Sequence, residues 1–132
     1  MSSLKKQGIL NRELAGIFAK IGHTDTIMIA DCGLPIPDGV TCIDLAYKMG
    51  KPSFIDILET VLGDFKAEKA LIATEMDAEN AELYSQLTPF PCPIEKVSHE
   101  QLKQKSVDAK VIIRTGEATP YANILLQSGV IF

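Results

Sequence analysis

A short apolar run near the start of the chain does most to limit the folds open to it. The run covers residues 27–30, is partly β-branched, and has polar residues at both ends. Such a run is typical of a strand buried on both faces, as found inside parallel sheets. Asp31 follows it directly, and a stiff segment rich in glycine and proline occupies positions 33–39. Because open α/β sheets bind ligands beyond the carboxyl ends of their strands, Asp31 is the first candidate for a functional site.

Helical and strand patterns alternate along the rest of the chain. Helices are predicted after an N-cap at Asn11 and ending at Gly22, from Pro52 to Gly63, after a cap at Thr74 or Asp77, and over residues 99–105 behind a Ser98 capping box. The third helix is expected to turn Ala81, Tyr84 and Leu87 inward. Strands are predicted at 26–30, 40–45, 70–73, 94–97, 109–113 and 121–126. This alternation predicts an α/β fold, a single three-layer α/β/α domain over residues 1–132 with a mainly parallel sheet and helices on both faces.

Composition narrows the possible partners and the compartment. The 132 residues are 46% apolar and carry a formal net charge of −4, which argues against nucleic acid or an anionic membrane as the main partner. Neither a signal peptide nor a spanning helix is apparent. Three scattered cysteines favour a reducing cytoplasm over a disulfide framework. The uncharged terminal residues, 130–132, are expected to pack in the core or in a subunit contact.

Two histidines are candidates for proton transfer. His23 is expected at the carboxyl end of the first helix, where the helix dipole favours the imidazolium, and His99 at the start of a later helix, where the dipole disfavours it. Two titratable groups that differ in this way can serve as acid and base. The alternatives are that His23 only bonds the last carbonyls of its helix and that His99 is a surface residue of a capping box. For Asp31 the alternative is an Asx turn.

A polar loop at residues 114–123 is flanked by apolar segments. Its Tyr121 and Asn123 could donate to and accept from a polyhydroxyl ligand, with Arg114 and Glu117 orienting it, although a plain solvated loop has the same composition. No dinucleotide-binding or P-loop motif, zinc-ligand spacing or nucleophile elbow occurs in the sequence. The motifs therefore give no indication of a metal or a nucleotide cofactor.

Four segments together resemble the D-ribose pyranases and their relatives, the L-fucose mutarotases. These are Gly-Ile-Leu-Asn at 8–11, Gly-His-Thr-Asp at 22–25, Ala-Asp-Cys-Gly-Leu-Pro-Ile-Pro-Asp-Gly at 30–39 and Arg-Thr-Gly-Glu-Ala-Thr-Pro-Tyr-Ala-Asn at 114–123. The resemblance runs from residue 8 to the end of the chain and is weakest over 76–96. Cys32 departs from the pattern, since alanine is more usual at that position.

The resemblance implies a cytoplasmic, cofactor-independent isomerase that interconverts the pyranose and furanose forms of D-ribose. It further implies a homodecamer of two pentameric rings, with sites at subunit boundaries. By motif position, the catalytic acid would be His23, and the sugar-binding residues would be Asp31, His99, Tyr121, Ala122 and Asn123. The alternatives are a mutarotase acting on L-fucose or another aldose, and a non-catalytic sugar-binding partner of a ribose transporter.

Overall fold

The fold is built on one six-stranded sheet. The structure is a computed structural model that describes residues 8–131. The strands are β1 (Thr26–Ala30), β2 (Cys42–Asp44), β3 (Ala67–Ala73), β4 (Ile94–Val97), β5 (Val111–Arg114) and β6 (Ile124–Ser128). Their order across the sheet is β2-β5-β1-β6-β3-β4, and β6 runs antiparallel to both of its neighbours while the other five strands run in one direction. The predicted α/β class with a mainly parallel sheet is confirmed.

Helices cover both faces of this sheet. They are α1 (Arg12–Phe18), α2 (Phe54–Asp64), α3 (Thr74–Glu79), α4 (Ala81–Ser85) and α5 (His99–Ser106). Alternate residues of β1 point to opposite faces. Ile27 and Ile29 join the cluster that contains the buried residues of α1 to α4, whereas Met28 packs with Leu102 of α5. The three-layer arrangement follows from this alternation.

The first helix ends earlier than the sequence suggested. It stops at Phe18, four residues before Gly22, and Gly22 is not in the left-handed region. The prediction that Gly22 ends the helix is wrong, because the last turn is closed by hydrogen bonds from the backbone N–H of Lys20 and Ile21 to carbonyls three residues back. The left-handed residue is Thr24, with φ of 72°.

The second helix begins after its predicted first residue. Ser53 is its N-cap and accepts from the backbone N–H of Asp56, so Pro52 lies outside the helix and Gly63 lies within it. The carboxylate of Glu117 accepts from the N–H of Phe54 at 2.9 Å. Two side chains thus satisfy donors that a helix start leaves free. The predicted caps of α1 by Asn11 and of α5 by Ser98 are confirmed.

The segment predicted as one helix after residue 74 is two short helices. Asn80 separates α3 from α4, and its amide donates to Thr119 Oγ1 at 3.0 Å and to the carbonyl of Pro120 at 2.8 Å. Leu83 is buried in place of Ala81, which is exposed. The break therefore lets α4 pack on the core while Asn80 holds the loop at residues 115–123.

The described end of the chain is not part of the core. Ile131 is 91% exposed and Val130 lies at the surface, while Phe132 falls outside the described residues. The expectation that residues 130–132 pack in the core is therefore wrong for Ile131, and the alternative of a subunit contact stays a prediction. Within residues 8–131, no helix is long and apolar enough to cross a membrane.

Candidate functional site

A cavity lies beyond the carboxyl ends of the parallel strands. Its volume is about 270 Å³, and it brings together three of the predicted site residues. It is lined by Asp31, Gly33, Leu34, Pro35, His99, Pro120 and Tyr121. The chain reaches it directly after β1, directly after β4 and directly before β6, as expected for a ligand site at the edge of an open α/β sheet.

Asp31 is held in place by the buried side chain of Asn123. The side-chain oxygen of Asn123 accepts from the backbone N–H of Asp31 at 2.8 Å, and its Nδ2 donates to Asp31 Oδ2 at 3.2 Å. Asn123 is fully buried, so its amide is committed to Asp31. The prediction that Asn123 binds sugar directly stays a prediction, and the contacts give it a second role, that of orienting the carboxylate.

Burial also changes the acidity of Asp31. Removal from water raises the pKa of its carboxyl above the ordinary value of 3.8, and hydrogen bonds from the Gly33 N–H, from Asn123 and from the backbone of Leu34 and Ala122 oppose the rise. Ala122 is fully buried, and it meets Asp31 through its backbone. The carboxylate therefore lies in a partly dry site with its lone pairs directed by fixed donors.

His99 and Tyr121 form the opposite wall of the cavity. Their ring centroids are 5.1 Å apart and the rings are nearly perpendicular, at 79°. The backbone N–H of His99 donates to both carboxylate oxygens of Glu75, at 3.0 and 3.2 Å, which fixes the first residue of α5. His99 Nδ1 is buried and has no hydrogen-bond partner within the described residues. A ligand hydroxyl in the cavity would provide the partner that a buried polar atom requires.

The loop that carries Tyr121 is anchored, which excludes the interpretation as a plain solvated loop. Tyr121 has φ of 57°, in the left-handed region. For a residue other than glycine, this conformation is about 1–2 kcal/mol less favourable than the right-handed one. Asn80 holds the preceding carbonyl, and Thr119 donates to Glu117 at 2.7 Å. Strained residues held by their surroundings are found preferentially at functional sites.

Arg114 and Glu117 do not line this cavity, contrary to their suggested role in orienting a ligand. The Arg114 guanidinium donates to both oxygens of Asp44 at 3.0 Å and to the carbonyl of Cys32 at 3.2 Å. Glu117 is occupied by Phe54 and Thr119. Both residues stabilise the loop without lining the cavity.

Cys32 faces a neighbouring cavity. That cavity, of about 320 Å³, is lined by Cys32, Ala46, Tyr47, Lys48, Met49, Arg114 and Gly116. Since the Cys32 side chain lies outside the lining of the Asp31 cavity, its departure from the usual alanine leaves that cavity's wall unchanged.

His23 lies at the other edge of the sheet. It precedes β1 whereas Asp31 follows it, and a five-residue strand spans roughly 17 Å. His23 lines a separate cavity of about 180 Å³ with residues of the α1 end, the α2 end and the β6 end. Two roles can be considered for Asp31, to orient His23 or to orient a sugar hydroxyl. Within one chain the first is not possible, because the strand keeps the two side chains at opposite ends of β1, while the second stays a prediction.

The turn that presents His23 is fixed by the end of β6. The backbone N–H of Thr24 donates to the Ser128 carbonyl at 3.1 Å, the N–H of Ser128 donates to the Asp25 carbonyl at 2.8 Å, and the Ser128 hydroxyl donates to the Gly22 carbonyl. Thr24, a β-branched residue with positive φ, is a genuine conformational outlier. His23 thus sits on a strained but well-held turn.

Two residues beside His23 were missed by the sequence analysis. His23 Nε2 lies 3.2 Å from Glu68 Oε2, and Gln127 Nε2 donates to Glu68 Oε1 at 2.8 Å. Both hydrogen bonds lower the pKa of the Glu68 carboxyl, and the one from Gln127 has the larger effect. Polar residues on the exposed face of a strand carry no motif, so only the pairing of β3 with β6 could have shown them next to His23.

No resident metal ion is indicated in the described part of the chain. Within residues 8–131, no group of three or more His, Cys, Asp or Glu side chains is arranged to hold one.

Comparison with known proteins gives consistent relatives. D-ribose pyranases from Bacillus cytotoxicus and Bacillus cereus are 55% and 56% identical over 131 residues, which is 98% of this chain and 100% of each relative. The structure of Bacillus subtilis RbsD complexed with D-ribose superposes with a TM-score of 0.93 at 50% identity, covering 97% of this chain and 99% of that one.

A more distant structure shares the fold. The fucose mutarotase of Streptococcus pneumoniae in complex with L-fucose has a TM-score of 0.73 at 19% identity, over 93% of this chain and 95% of that one. The sequence model of the RbsD / FucU transport protein family matches residues 4–131. In sequence over nearly its whole length, and in fold, this chain belongs to the RbsD / FucU transport protein family.

Proposed function

We propose that this chain is a D-ribose pyranase, an isomerase that interconverts the pyranose and furanose rings of D-ribose and so supports ribose uptake and catabolism. The observation that carries the proposal is the identity of about 55% with D-ribose pyranases over their full length. The Asp31 cavity supports it, because a carboxylate, an imidazole and a phenol converge on a space suited to a small polyhydroxyl ligand.

The reaction needs a proton donor and a way to hold the sugar. The ring oxygen O5 receives a proton, the anomeric hydroxyl loses one, and the bond between C1 and O5 breaks to give the open aldehyde. After rotation about the carbon–carbon bonds of the open sugar, O4 attacks C1 and releases its own proton while the carbonyl oxygen gains one. No covalent nucleophile and no net change in protons is involved, so an imidazole such as that of His23 is a sufficient acid and base.

We further propose that each active site forms between two copies of the chain. His23 and the Asp31 cavity lie at opposite ends of β1, so one chain cannot apply both to the same sugar. A second copy that brings its His23 to the first copy's Asp31, His99 and Tyr121 completes the site. The exposed apolar side chains of Tyr47, Met49 and Ile131 provide surface for such contacts.

We also propose an assembly and a compartment for this chain. The family resemblance favours a homodecamer made of two pentameric rings, and Cys32, Cys42 and Cys92 are free, as expected in a reducing cytoplasm. The direct ligands in this arrangement are Asp31, His99, Tyr121 and the backbone around Ala122 and Asn123, with His23 as the acid of the adjacent copy.

Exchange NMR on equilibrated D-ribose tests the activity. Adding the protein is expected to speed the exchange between pyranose and furanose signals, which also proceeds slowly without it. Binding without faster exchange would contradict the enzyme and favour a transporter's sugar-binding partner. Faster exchange of L-fucose than of ribose would move the assignment to the fucose mutarotases, of which the Streptococcus pneumoniae protein shares 19% identity with this chain.

The affinity for ribose should fall in acid because Asp31 becomes protonated, and the raised pKa of its carboxyl brings this change to a higher pH. A sugar hydroxyl donates to the ionised carboxylate, so protonation of Asp31 removes that bond. The Kd is expected to begin rising as the pH approaches this pKa, which lies above 3.8, and to rise by up to about tenfold per pH unit below it. Calorimetric titration at several pH values measures this.

An Asp31→Asn variant is the control for that titration. It should bind ribose more weakly at neutral pH and lack the acid dependence that Asp31 contributes. A wild-type Kd that stays constant across the range, or the same acid dependence in both proteins, would contradict a ribose contact at Asp31.

A further inference from the structure

We propose that Glu68, itself held by Gln127, is a positioning residue for His23: it accepts a hydrogen bond from Nε2 of the imidazole and so leaves Nδ1 to exchange the proton with the sugar. This inference rests on the proposed function in assigning the reaction, but the pairing of the side chains stands on the structure alone. It assigns a role to two residues that are absent from the set expected to contact sugar.

The contacts form a chain of three side chains. Gln127 lies on β6 and Glu68 on β3, where the ladder between the two strands shifts register between Ala67 and Lys69. Each oxygen of the Glu68 carboxylate has a separate partner, Gln127 Nε2 at 2.8 Å and His23 Nε2 at 3.2 Å. The amide therefore fixes the rotation of the carboxylate, and the carboxylate in turn fixes the imidazole.

The backbone is shaped to admit this arrangement. Gly129 follows β6, and a Cβ placed there would lie 3.1 Å from the Cβ of Glu68 and 3.5 Å from its Oε2. The N–H of Gly129 donates to the carbonyl of Lys66 at 2.7 Å, so the two backbone segments cannot easily separate. A glycine at 129 thus leaves room for the Glu68 side chain beside His23.

The pairing is poorly suited to a purely stabilising role. The side chains of His23 and Glu68 are 52% and 37% exposed, and ion pairs this accessible contribute little to folding. The other charged groups nearby are Asp64 and Lys66, which line the same cavity, and Asp25, whose carboxylate accepts from the Gly22 N–H at 2.8 Å. Of these carboxylates, the one bonded to the ring is Glu68.

An ionised carboxylate decides which ring nitrogen carries the proton. It can only accept, so a neutral His23 bonded to Glu68 carries its proton on Nε2 and presents a lone pair on Nδ1. When the ring is protonated, Nδ1 gains the proton that is delivered to the ring oxygen, and the same nitrogen takes a proton back as the new ring closes. The imidazole ends each cycle as it began.

The Glu68→Gln variant should reverse this preference. Gln127 would continue to donate to the remaining side-chain oxygen, which turns the new NH₂ group towards His23 Nε2. Neutral His23 would then carry its proton on Nδ1, which leaves that nitrogen without the lone pair it needs to accept a proton from the sugar. We expect kcat to fall by about tenfold, less than the 10²–10⁴-fold that a whole acid–base group contributes, with KM nearly unchanged.

Nitrogen-15 NMR of the imidazoles measures the tautomer without any sugar. The assembled wild-type protein is expected to show mainly the Nε2–H form for His23, and Glu68→Gln the Nδ1–H form. Glu95→Gln is the matched control, because Glu95 is an exposed carboxylate on the neighbouring strand that pairs with Lys69 at 2.8 Å. It should leave both the His23 tautomer and kcat unchanged.

The outcomes separate this inference from the proposed function. The same His23 tautomer in wild type and Glu68→Gln would overturn it, as would an unchanged kcat in an active enzyme. If wild-type protein failed to speed ribose exchange, the proposed function would fail, and the tautomer comparison alone would decide whether Glu68 sets the ring. A higher KM with kcat preserved in Glu68→Gln would also contradict a positioning role for Glu68.

Discussion

Replacing His23 with alanine is expected to lower the rate of ribose ring exchange by about 10²–10⁴-fold while leaving ribose binding largely intact. The variant loses the only imidazole at its edge of the sheet within residues 8–131, whereas the Asp31 cavity, at the other end of β1, is untouched. Saturation-transfer NMR at several ribose concentrations gives the rate and the affinity together. Wild-type exchange in a folded His23→Ala protein would exclude His23 as the acid.

Mixing two inactive variants tests whether the site is shared. His23→Ala and Asp31→Ala are each expected to be nearly inactive alone. After joint dissociation and reassembly, a site is intact when one copy supplies a wild-type His23 and the adjacent copy a wild-type Asp31, which leaves about a quarter of the wild-type activity. A site contained in one chain would regain nothing on mixing. Gel filtration before the assay confirms that the mixed protein has reassembled.

Replacing Gly116 with alanine is expected to lower the free energy of unfolding by at least the amount typical of overpacking, about 1–3 kcal/mol. A Cβ at this position would overlap the carbonyl oxygen of Lys51 and lie only 2.6 Å from that of Lys48. Neither neighbour is a flexible side chain that could move aside. The N–H of Gly116 donates to the Pro52 carbonyl at 2.9 Å, and its carbonyl accepts from Gly50 at 2.6 Å. Both bonds would be strained by the shift that the methyl group requires.

Denaturant unfolding of Gly116→Ala measures this loss, and Gly63→Ala is its control. Gly63 lies within α2 and has no atom within 4 Å of the position that a Cβ would take, so alanine there should stabilise the helix by about 0.5–1 kcal/mol. Equal stability of Gly116→Ala and wild type would show that residues 48–52 can move away from the loop, and would contradict the close contact described.

The sequence predicted those elements whose signals are local. The bounds of β1 and β4, the N-caps Asn11 and Ser98 and the capping box of α5 were correct because each depends on residues within one or two turns of the chain. Gly22 failed as a helix stop, since carbonyls of the last turn were satisfied earlier. The division of residues 74–85 into α3 and α4 depends on Asn80 bonding a loop forty residues away, a contact that no local pattern records.

The candidate site followed the same rule. Asp31 and His99 each come just after a predicted strand, which places both at one edge of a parallel sheet. Tyr121 comes before its strand and reaches that edge because β6 is antiparallel, so only the family resemblance grouped it with the other two. The predicted strand at 26–30 already separates His23 from Asp31, since one residue precedes it and the other follows it. The sequence could not show that Glu68 and Gln127 reach His23, because those contacts depend on β6 pairing with β3. The contact between Asn123 and Asp31 could not be predicted either, since an amide that bonds a carboxylate and an amide that bonds a sugar look alike in sequence.

Strand β1 fixes the distance within one chain between His23, which precedes it, and the Asp31 cavity, which follows it. It pairs with β5 on one side and with β6 on the other, and four of its five residues are fully buried, so its length cannot adjust. One inserted residue would lengthen it by about 3.3 Å and turn every later side chain to the other face. In the proposed two-copy site, the buried strand β1 therefore sets the distance between the His23 and the Asp31 of each copy. The length of β1 should consequently tolerate less variation than that of any surface loop, even though none of its side chains lines the His23 cavity or the Asp31 cavity.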